Sequence, residues 1–552
     1  MSKKYLFWIL IVSAVLTVFG LNRGDVVNDE VFYGFRAIGM LDYVGADYQP
    51  TPLQQFDGNI PWWTKLSFHD HPPLVFLVQN ISMKIFGENV WAFRLPSAIF
   101  GIASVYLLYL IGTLLVSPTA GIAAAAAYGL TLNHIFISRS GLQEAQAIFF
   151  GLLASYFFLR AFEKNTHFVW AGVAIGFGML SKYTFVVFPF LFLAYLLVFK
   201  RTYLADTKFW LGILAAMAVF SPVLIYNAFL YRATGHFDFQ FSYIFGQHVP
   251  EWSVTPGKEI GTLSDRARNF LPQLARSNSW LFLAASAAAI LGFSVSLVRT
   301  GLSSFRKYGF VIIGLVSSVL LISAVGPAYR FLSIFTPFLA LAIGIFVAEF
   351  FESSRNEKWK RIFAQAFIVF LVFEAWYSFN NQVRFYPEGP SPWLSSKVRY
   401  ENYNWGYHEL DAYLEKELRG KFPALTADPA YEFLDDLREE AIAHAEYAHA
   451  EPKAYIFVYG DAMDLGARLW TFGRRLIYHA WPTISESEYA EELRTHGSDR
   501  FERIGFQREY VILPTSSIPA PEIIKRVKGI APVEIKNKRG SVAFEVYILE
   551  RR

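Results

Sequence analysis

Long apolar runs separated by short loops are the feature that most restricts this chain. Runs of roughly 18 residues or more can cross a hydrocarbon core. Candidate spans occupy residues 5–21, 96–116, 120–137, 145–162, 168–181, 183–199, 209–228, 280–298, 309–325, 331–350 and 362–379, eleven in all. Only Ser181-Lys182-Tyr183 marks the break between the fifth and sixth. Of the 552 residues, 54% are hydrophobic and 18% aromatic, beside only 17% charged. A soluble chain of this length rarely has that balance, so the expected class is a polytopic α-helical membrane protein. There is no cysteine, which excludes disulfides, thiol catalysis and thiolate metal sites. The net charge of +4 is small and points to no nucleic-acid partner.

The start, MSKKYLFWILIVSAVLTVFG, has a basic head and an apolar run. A cleaved signal peptide has the same outline. An uncleaved span is the preferred reading, because no small-x-small pattern closes the run.

Lys and Arg in short loops set orientation. With Lys3 and Lys4 in the cytoplasm, alternate loops carry Arg160 and Lys164; Lys200, Arg201 and Lys208; Arg299, Arg306 and Lys307; and Arg355, Lys358, Lys360 and Arg361. The opposite short loops carry only Arg139, Lys182 and Arg330. Residues 22–95, 229–279 and everything after about 380 then face outside the cytoplasm. The expected organisation is a transmembrane domain over 1–380 and a Pro-rich linker over 381–393 containing Tyr386-Pro-Glu-Gly-Pro-Ser-Pro-Trp393. A soluble α/β domain follows over 394–552. In that domain GYHELDAYLEKEL has a helical pattern, while AYIFVYG, REYVILP and SVAFEVYILE read as strands.

The first outer segment holds most of the polar chemistry. Asp29 and Glu30 precede VFYGFRAIGML, an apolar helix too short to span and expected along the membrane interface. Carboxylates suit the first turn of a helix, so a cap explains them locally. Further on, His69-Asp70-His71 precedes Pro72-Pro73 and a second short apolar helix over Leu74 to Phe86. Two helices that start with polar clusters can present them to one cavity. A divalent ion held by Asp29, Glu30, His69, Asp70 or His71 is the alternative, although the spacing matches no closed metal site.

Arg139, with Glu144 nearby, Lys182 and Arg330 lie between apolar runs on the outer side. A single such cation is usually a snorkelling side chain. Three on one side suit an anionic headgroup such as a lipid-linked phosphate. A carboxylate base together with such cations fits sugar transfer from a polyprenyl phosphate. The base takes a proton from the acceptor, and the cations stabilise charge on the departing phosphate. There is no Walker-type GxxxxGK[ST] and no Rossmann glycine fingerprint for a nucleotide.

NDEVFYGFRA, HDHPPL, FGENVWAFRLPSAIFG, SRSGLQEAQAIFFGLLASYFFLRA, LSKYT and AYRFLSIFTP together resemble the GT-C glycosyltransferases. The similar branch is the protein O-mannosyltransferase and aminoarabinose-transferase-like group. The resemblance covers Tyr5 to about Phe379. It implies a core of many spans with interfacial helices, a polyprenyl-phosphate sugar donor and action on the outer face. It maps Asp29 to the catalytic acid, Glu30 to the second acid and His71 to the histidine of the HPP segment. It maps Arg139 to a donor-phosphate contact, with Lys182 and Arg330 as extensions of that role. The mannosyltransferase pattern often has an Asp two residues before this His; here His69 is there and the acid is Asp70. His69, Asp70 and Glu144 are supporting candidates. The oligosaccharyltransferase WWDYG signature is missing, since Trp62-Trp63 runs into Thr64-Lys65.

The leading expectation is an inverting transferase with a hydroxyl or amine acceptor. A flippase or transporter of lipid-linked sugars is the competing class. Transporters keep coupling charges near the bilayer midplane, where this chain offers only Glu374. A scaffold that only binds is a third reading.

Overall fold

The structure is a computed structural model that describes residues 2–26, 28–42, 48–52, 54, 58–249, 261–424 and 434–550. Val27 beside the acidic pair and 250–260 of the second outer segment lie outside the described residues. The chain folds as α1 (Ser2–Val18), α2 (Asp29–Gly39), α3 (Leu74–Phe86), α4 (Val90–Leu115), α5 (Pro118–Leu130), α6 (Leu132–Arg139), α7 (Glu144–Arg160) and α8 (His167–Ser181). It continues as α9 (Val187–Phe199), α10 (Thr207–Thr234), α11 (Phe239–Ile244), α12 (Leu263–Ser277), α13 (Trp280–Thr300), α14 (Leu302–Val325), α15 (Thr336–Ser353), α16 (Glu357–Ser378) and α17 (Tyr407–Leu418). Beyond α17, shorter helices alternate with five strands: β1 (Tyr455–Tyr459), β2 (Thr483–Ser485), β3 (Arg508–Pro514), β4 (Val533–Lys536) and β5 (Val542–Glu550).

Loop residues set where the long helices begin. Asn89, Ser117, Asp206, Ser279 and Asn356 each accept a backbone N–H in the first turn of α4, α5, α10, α13 and α16. Pro118 adds a preset φ at the start of α5. Among the described residues six helices are long and apolar enough to cross a membrane. The α5–α6 pair, bent by 61°, makes a seventh if counted as one span. Every expected span contains a helix. However, α1, α7, α8 and α9 have only 17, 17, 15 and 13 residues, shorter than a straight span needs. Glycine lets two helix pairs approach closely. A Cβ on Gly172 of α8 would lie 1.9 Å from the Gly212 carbonyl oxygen of α10, and one on Gly112 of α4 would lie 2.8 Å from Gly121 Cα of α5.

Compactness divides the chain into two units, and the division differs from a single cut near residue 390. One unit is Met1–Asn22, Ala46–Gln49 and Pro61–Tyr400. The other joins Arg23–Gly45 and Pro50–Ile60 to Glu401–Arg552. The Pro-rich segment belongs to the first unit and is anchored there. Trp280 Nε1 donates to the Trp393 carbonyl (3.2 Å), Tyr377 Oη to that of Pro392 (3.1 Å) and Asn380 Nδ2 to that of Glu388 (3.0 Å).

The second unit has one sheet, ordered β2-β1-β3-β5-β4. The pairs β2–β1 and β1–β3 are parallel, while β3–β5 and β5–β4 are antiparallel. Alternation along β1 and β3 feeds two cores. Tyr455, Phe457, Tyr510 and Ile512 pack with Leu410 and Leu414 of α17, while Ile456, Val458, Val511 and Leu513 pack with Tyr489 and Ile523. The helix α2 packs within this unit, with Val31, Tyr33, Phe35 and Ala37 buried. Phe35 stacks obliquely on Tyr478 at 5.0 Å, and the Tyr478 hydroxyl donates to the Phe35 carbonyl at 2.7 Å. Arg36 and Asp42 form a fully buried bridge of 2.7 Å. Asp25 accepts from the amides of Trp405 (2.5 Å) and His408 (2.8 Å), holding the start of α17.

Candidate active site

In the second unit Asn28 precedes α2 with φ 55° and ψ −147°, a positive-φ backbone conformation that residues with side chains rarely adopt. The chain turns there, and Asp29 and Glu30 become the first two residues of the helix. Successive residues diverge by about 100° around a helix. Asp29 accordingly lies on the exposed side, while Glu30 is 4% exposed and faces the unit's interior. The two acids are therefore not equivalent. Asp29 has the accessibility a base needs, and Glu30 belongs to the packing beneath it.

In the first unit, His69-Asp70-His71 forms a tight turn before α3. Asp70 Oδ2 lies 2.9 Å from His71 Nδ1, and Oδ1 lies 3.9 Å from His69 Nδ1. A carboxylate on Nδ1 fixes the tautomer and orientation of the His71 ring. Backbone bonds hold the turn: Phe68 N donates to the His71 carbonyl (3.2 Å) and Phe239 N to the His69 carbonyl (2.8 Å). Behind Phe239, the buried Asp238 accepts from Tyr183 Oη (2.9 Å), Asn227 Nδ2 (3.0 Å) and the amides of Gln240 (3.1 Å) and Phe241 (2.8 Å). Burial pushes its carboxyl up to about 6 although these bonds pull the other way. Gln49 braces the approach to the turn, donating to the Ser67 carbonyl (3.1 Å) and accepting from Tyr226 Oη (2.7 Å).

Three distant loop ends converge next to Tyr183. Glu144, the first residue of α7, has Oε1 at 2.5 Å from Lys182 Nζ and 3.9 Å from Arg330 Nε. Lys182 and Arg330 each lie 5.0 Å from the centre of the Phe331 ring. The Glu144 and Lys182 side chains are 5% and 8% exposed, whereas that of Arg330 is 23% exposed, so the cluster opens on the Arg330 side. Glu144 Oε2 is buried without a hydrogen-bond partner. The neighbouring Gln143 side chain is in the same state at both its amide atoms.

Arg139 has another job. Its Nη1 donates to the carbonyls of Leu16 (2.8 Å), Thr17 (3.0 Å) and Phe19 (2.8 Å), and its Nη2 to that of Gly20 (3.3 Å). Leu16 and Thr17 lie in the last turn of α1, whose carbonyls have no intrahelical partner, and Phe19 and Gly20 follow it directly. Arg94 extends the cap by donating to the Leu21 carbonyl at 3.0 Å. In this structure the guanidinium of Arg139 is thus engaged in capping α1. The residues that sequence reasoning missed are Tyr183, Asn227, Gln49 and Asp238. Only Asp238 carried a signal, as an Asp just before the short apolar helix α11.

Residues 70–226, which include the His69 turn's second half, Glu144 and Lys182, match the family model "Dolichyl-phosphate-mannose-protein mannosyltransferase". Two proteins of Bacillus subtilis (strain 168) are similar over part of the chain. One, named "Putative mannosyltransferase YkcB", is 27% identical over 234 residues, covering 40% of this chain and 30% of that protein. The other, named "Putative mannosyltransferase YycA", is 34% identical over 203 residues, covering 35% of this chain and 27% of that protein. The chain thus matches under a third of the length of these curated relatives. The crystal structure of ArnT from Cupriavidus metallidurans bound to undecaprenyl phosphate superposes with a TM-score of 0.53 at 13% identity, covering 99% of this chain and 98% of that one. At that identity the likeness establishes the fold.

Proposed function

We propose that this chain is a membrane glycosyltransferase of the GT-C type and that it moves one sugar from a polyprenyl-phosphate donor to a hydroxyl or amine acceptor on the outer face of the membrane. The observation that carries this reading is the convergence of Lys182 and Arg330, two cations from separate loops, on one largely buried site beside Phe331. Cations so placed suit a phosphate better than a neutral sugar. The ArnT structure binds undecaprenyl phosphate, which suits the same class of donor.

In the proposed step Asp29 accepts the proton of the acceptor group. The acceptor atom bonds to the anomeric carbon from the face opposite the lipid. The bond from that carbon to the phosphate oxygen breaks, and its electron pair stays on the phosphate. The products are the glycosylated acceptor, with inverted configuration, and a polyprenyl monophosphate carrying one more negative charge. Lys182 and Arg330 stabilise that charge as it develops. His71, oriented by Asp70, supports the reacting sugar or acceptor. Glu30 supports the helix that carries Asp29.

The test is transfer by detergent-purified full-length protein, given a panel of polyprenyl-phosphate sugars and assayed for a covalent product. Asp29→Asn is expected to lower turnover by roughly a hundredfold or more. Near wild-type turnover in that variant, or lipid movement across vesicles without covalent product, would overturn the proposal.

A further inference from the structure

The donor and the lipid product of such a transfer differ by about one charge. The donor is a phosphodiester with a single negative charge. The product is a phosphomonoester, which carries about −1.5 to −2 at neutral pH because its second pKa is near 6. A pocket with two cations and nothing else would hold the product more tightly and stall after each turnover. This pocket has a third member. Glu144 Oε1 bridges to both Lys182 and Arg330 while Oε2 is buried and unpartnered, so two positive charges are opposed by one fixed carboxylate. The formal surplus of the trio is one positive charge.

We infer that Glu144 sets the charge of the lipid-phosphate pocket so that it accepts the monoanionic donor and releases the dianionic product; this rests on the reading that Lys182 and Arg330 meet the phosphate. Attraction to the pocket grows linearly with ligand charge, whereas the desolvation penalty grows as its square. With a surplus of one, the second charge of the monoester gains little attraction and costs more desolvation. With a surplus of two, attraction wins. The carboxylate is well placed for this because it is fixed at the start of α7 and shielded from water. Its charge therefore reaches a ligand at the open Arg330 side weakly screened.

The experiment is equilibrium binding of farnesyl monophosphate and of farnesyl methyl phosphodiester to full-length protein in detergent, for wild type, Glu144→Gln and Lys182→Met/Glu144→Gln. At pH 8 the wild type should bind the two lipids with affinities within about threefold of each other, and monoester affinity should change little between pH 5 and pH 8. Glu144→Gln should shift the preference toward the monoester by about tenfold or more at pH 8, the size expected for one removed charge a few ångströms away. At pH 5, where the monoester is monoanionic, that added preference should vanish. Equal tightening of both lipids by Glu144→Gln, or an unchanged ratio, overturns the inference while leaving the phosphate site intact. A wild type that already prefers the monoester tenfold at pH 8 also overturns it, and needs no variant to fold. The double variant, whose surplus is again one positive charge, should keep the wild-type ratio, and a monoester preference there as large as that of Glu144→Gln overturns the inference; if the wild type binds neither lipid better than farnesol, the phosphate reading itself fails.

Discussion

Lys182 has two separable jobs, and two substitutions pull them apart. Replacing it with Met leaves the Glu144 carboxylate, 5% exposed, facing the Arg330 guanidinium at 3.9 Å. At 2.5 Å the lost attraction is about 6 to 7 kcal/mol gross for an effective dielectric near 20. The net cost of stranding one member of a buried pair is about 3–5 kcal/mol. Lys182→Met should therefore lower stability by about 3 kcal/mol. Lys182→Met/Glu144→Gln has no stranded charge, and its stability should return to within about 1 kcal/mol of wild type. Binding of a polyprenyl monophosphate should weaken in the single variant, whose trio has no surplus charge, and recover in the double variant, whose surplus is again one positive charge. Unfolding of the detergent-solubilised protein followed through its 14 tryptophans reads the first quantity, and lipid binding reads the second. A single variant as stable as wild type would show that the bridge contributes nothing. A double variant as unstable as the single would show that the stranded carboxylate is not the cause. Undiminished lipid binding in the single variant would remove Lys182 from the phosphate site.

Two carboxylates of the second unit, half-buried Asp411 and buried Asp25, should give opposite pH responses. For Asp411, burial works to raise the carboxyl, but Arg474 at 2.9 Å and Arg475 at 2.6 Å win and hold it at about 2. Its folded value lies below its unfolded one, so its contribution of about 2 kcal/mol is complete above pH 4 and is lost as pH falls toward 2. Hydrogen exchange at β1 and β3 should accelerate over that window, and Asp411→Asn should abolish the dependence. For Asp25, burial raises the carboxyl to about 7 against the pull of the His408 and Trp405 amides. Its folded value lies above its unfolded one, so its contribution is complete below pH 4 and is lost as pH rises through about 7. Proteolysis within residues 28–42 should speed up between pH 5 and pH 8 in wild type and become flatter in Asp25→Asn.

Much of the architecture was legible because each element has its own period and boundaries. The second short helix occupies Leu74–Phe86, the residues picked out by Pro72-Pro73 and the apolar run. The strands at Arg508–Pro514, Tyr455–Tyr459 and Val542–Glu550 and the helix at Tyr407–Leu418 fall where alternation and helical spacing put them. Thr483–Ser485 and Val533–Lys536, three and four residues long, flank the sheet and are too short for a period to show. The site was less legible for a different reason. Arg139, Lys182 and Arg330 have one signature in sequence, a lone cation between apolar runs. What separates them is tertiary: the end of α1 comes within reach of Arg139, and Glu144 within reach of the other two. The inequality of Asp29 and Glu30 was partly legible, since adjacent helical residues diverge. Which one is exposed depends on where α2 docks, and no local pattern encodes that.

Glu374 is the charge that most favoured a transporter, and its surroundings point elsewhere. It is fully buried in α16, where Oε1 accepts from the Ser279 hydroxyl. Ser279 in turn caps α13 by accepting from Phe282 N at 2.9 Å. A carboxyl that completes a helix cap is tied to one place, whereas a coupling residue must exchange partners as it carries charge. Glu374→Gln preserves an acceptor oxygen for Ser279, so its stability cost should be about 1 kcal/mol or less. Covalent transfer should stay within about twofold of wild type. A carrier that moved protons or ions through Glu374 would instead lose its coupled movement when the side chain is neutralised. Vesicle-reconstituted wild type and variant, assayed in parallel for covalent product and for lipid translocation, separate the two cases. Translocation that is abolished by Glu374→Gln and unaccompanied by covalent product would make this protein a transporter on a glycosyltransferase fold.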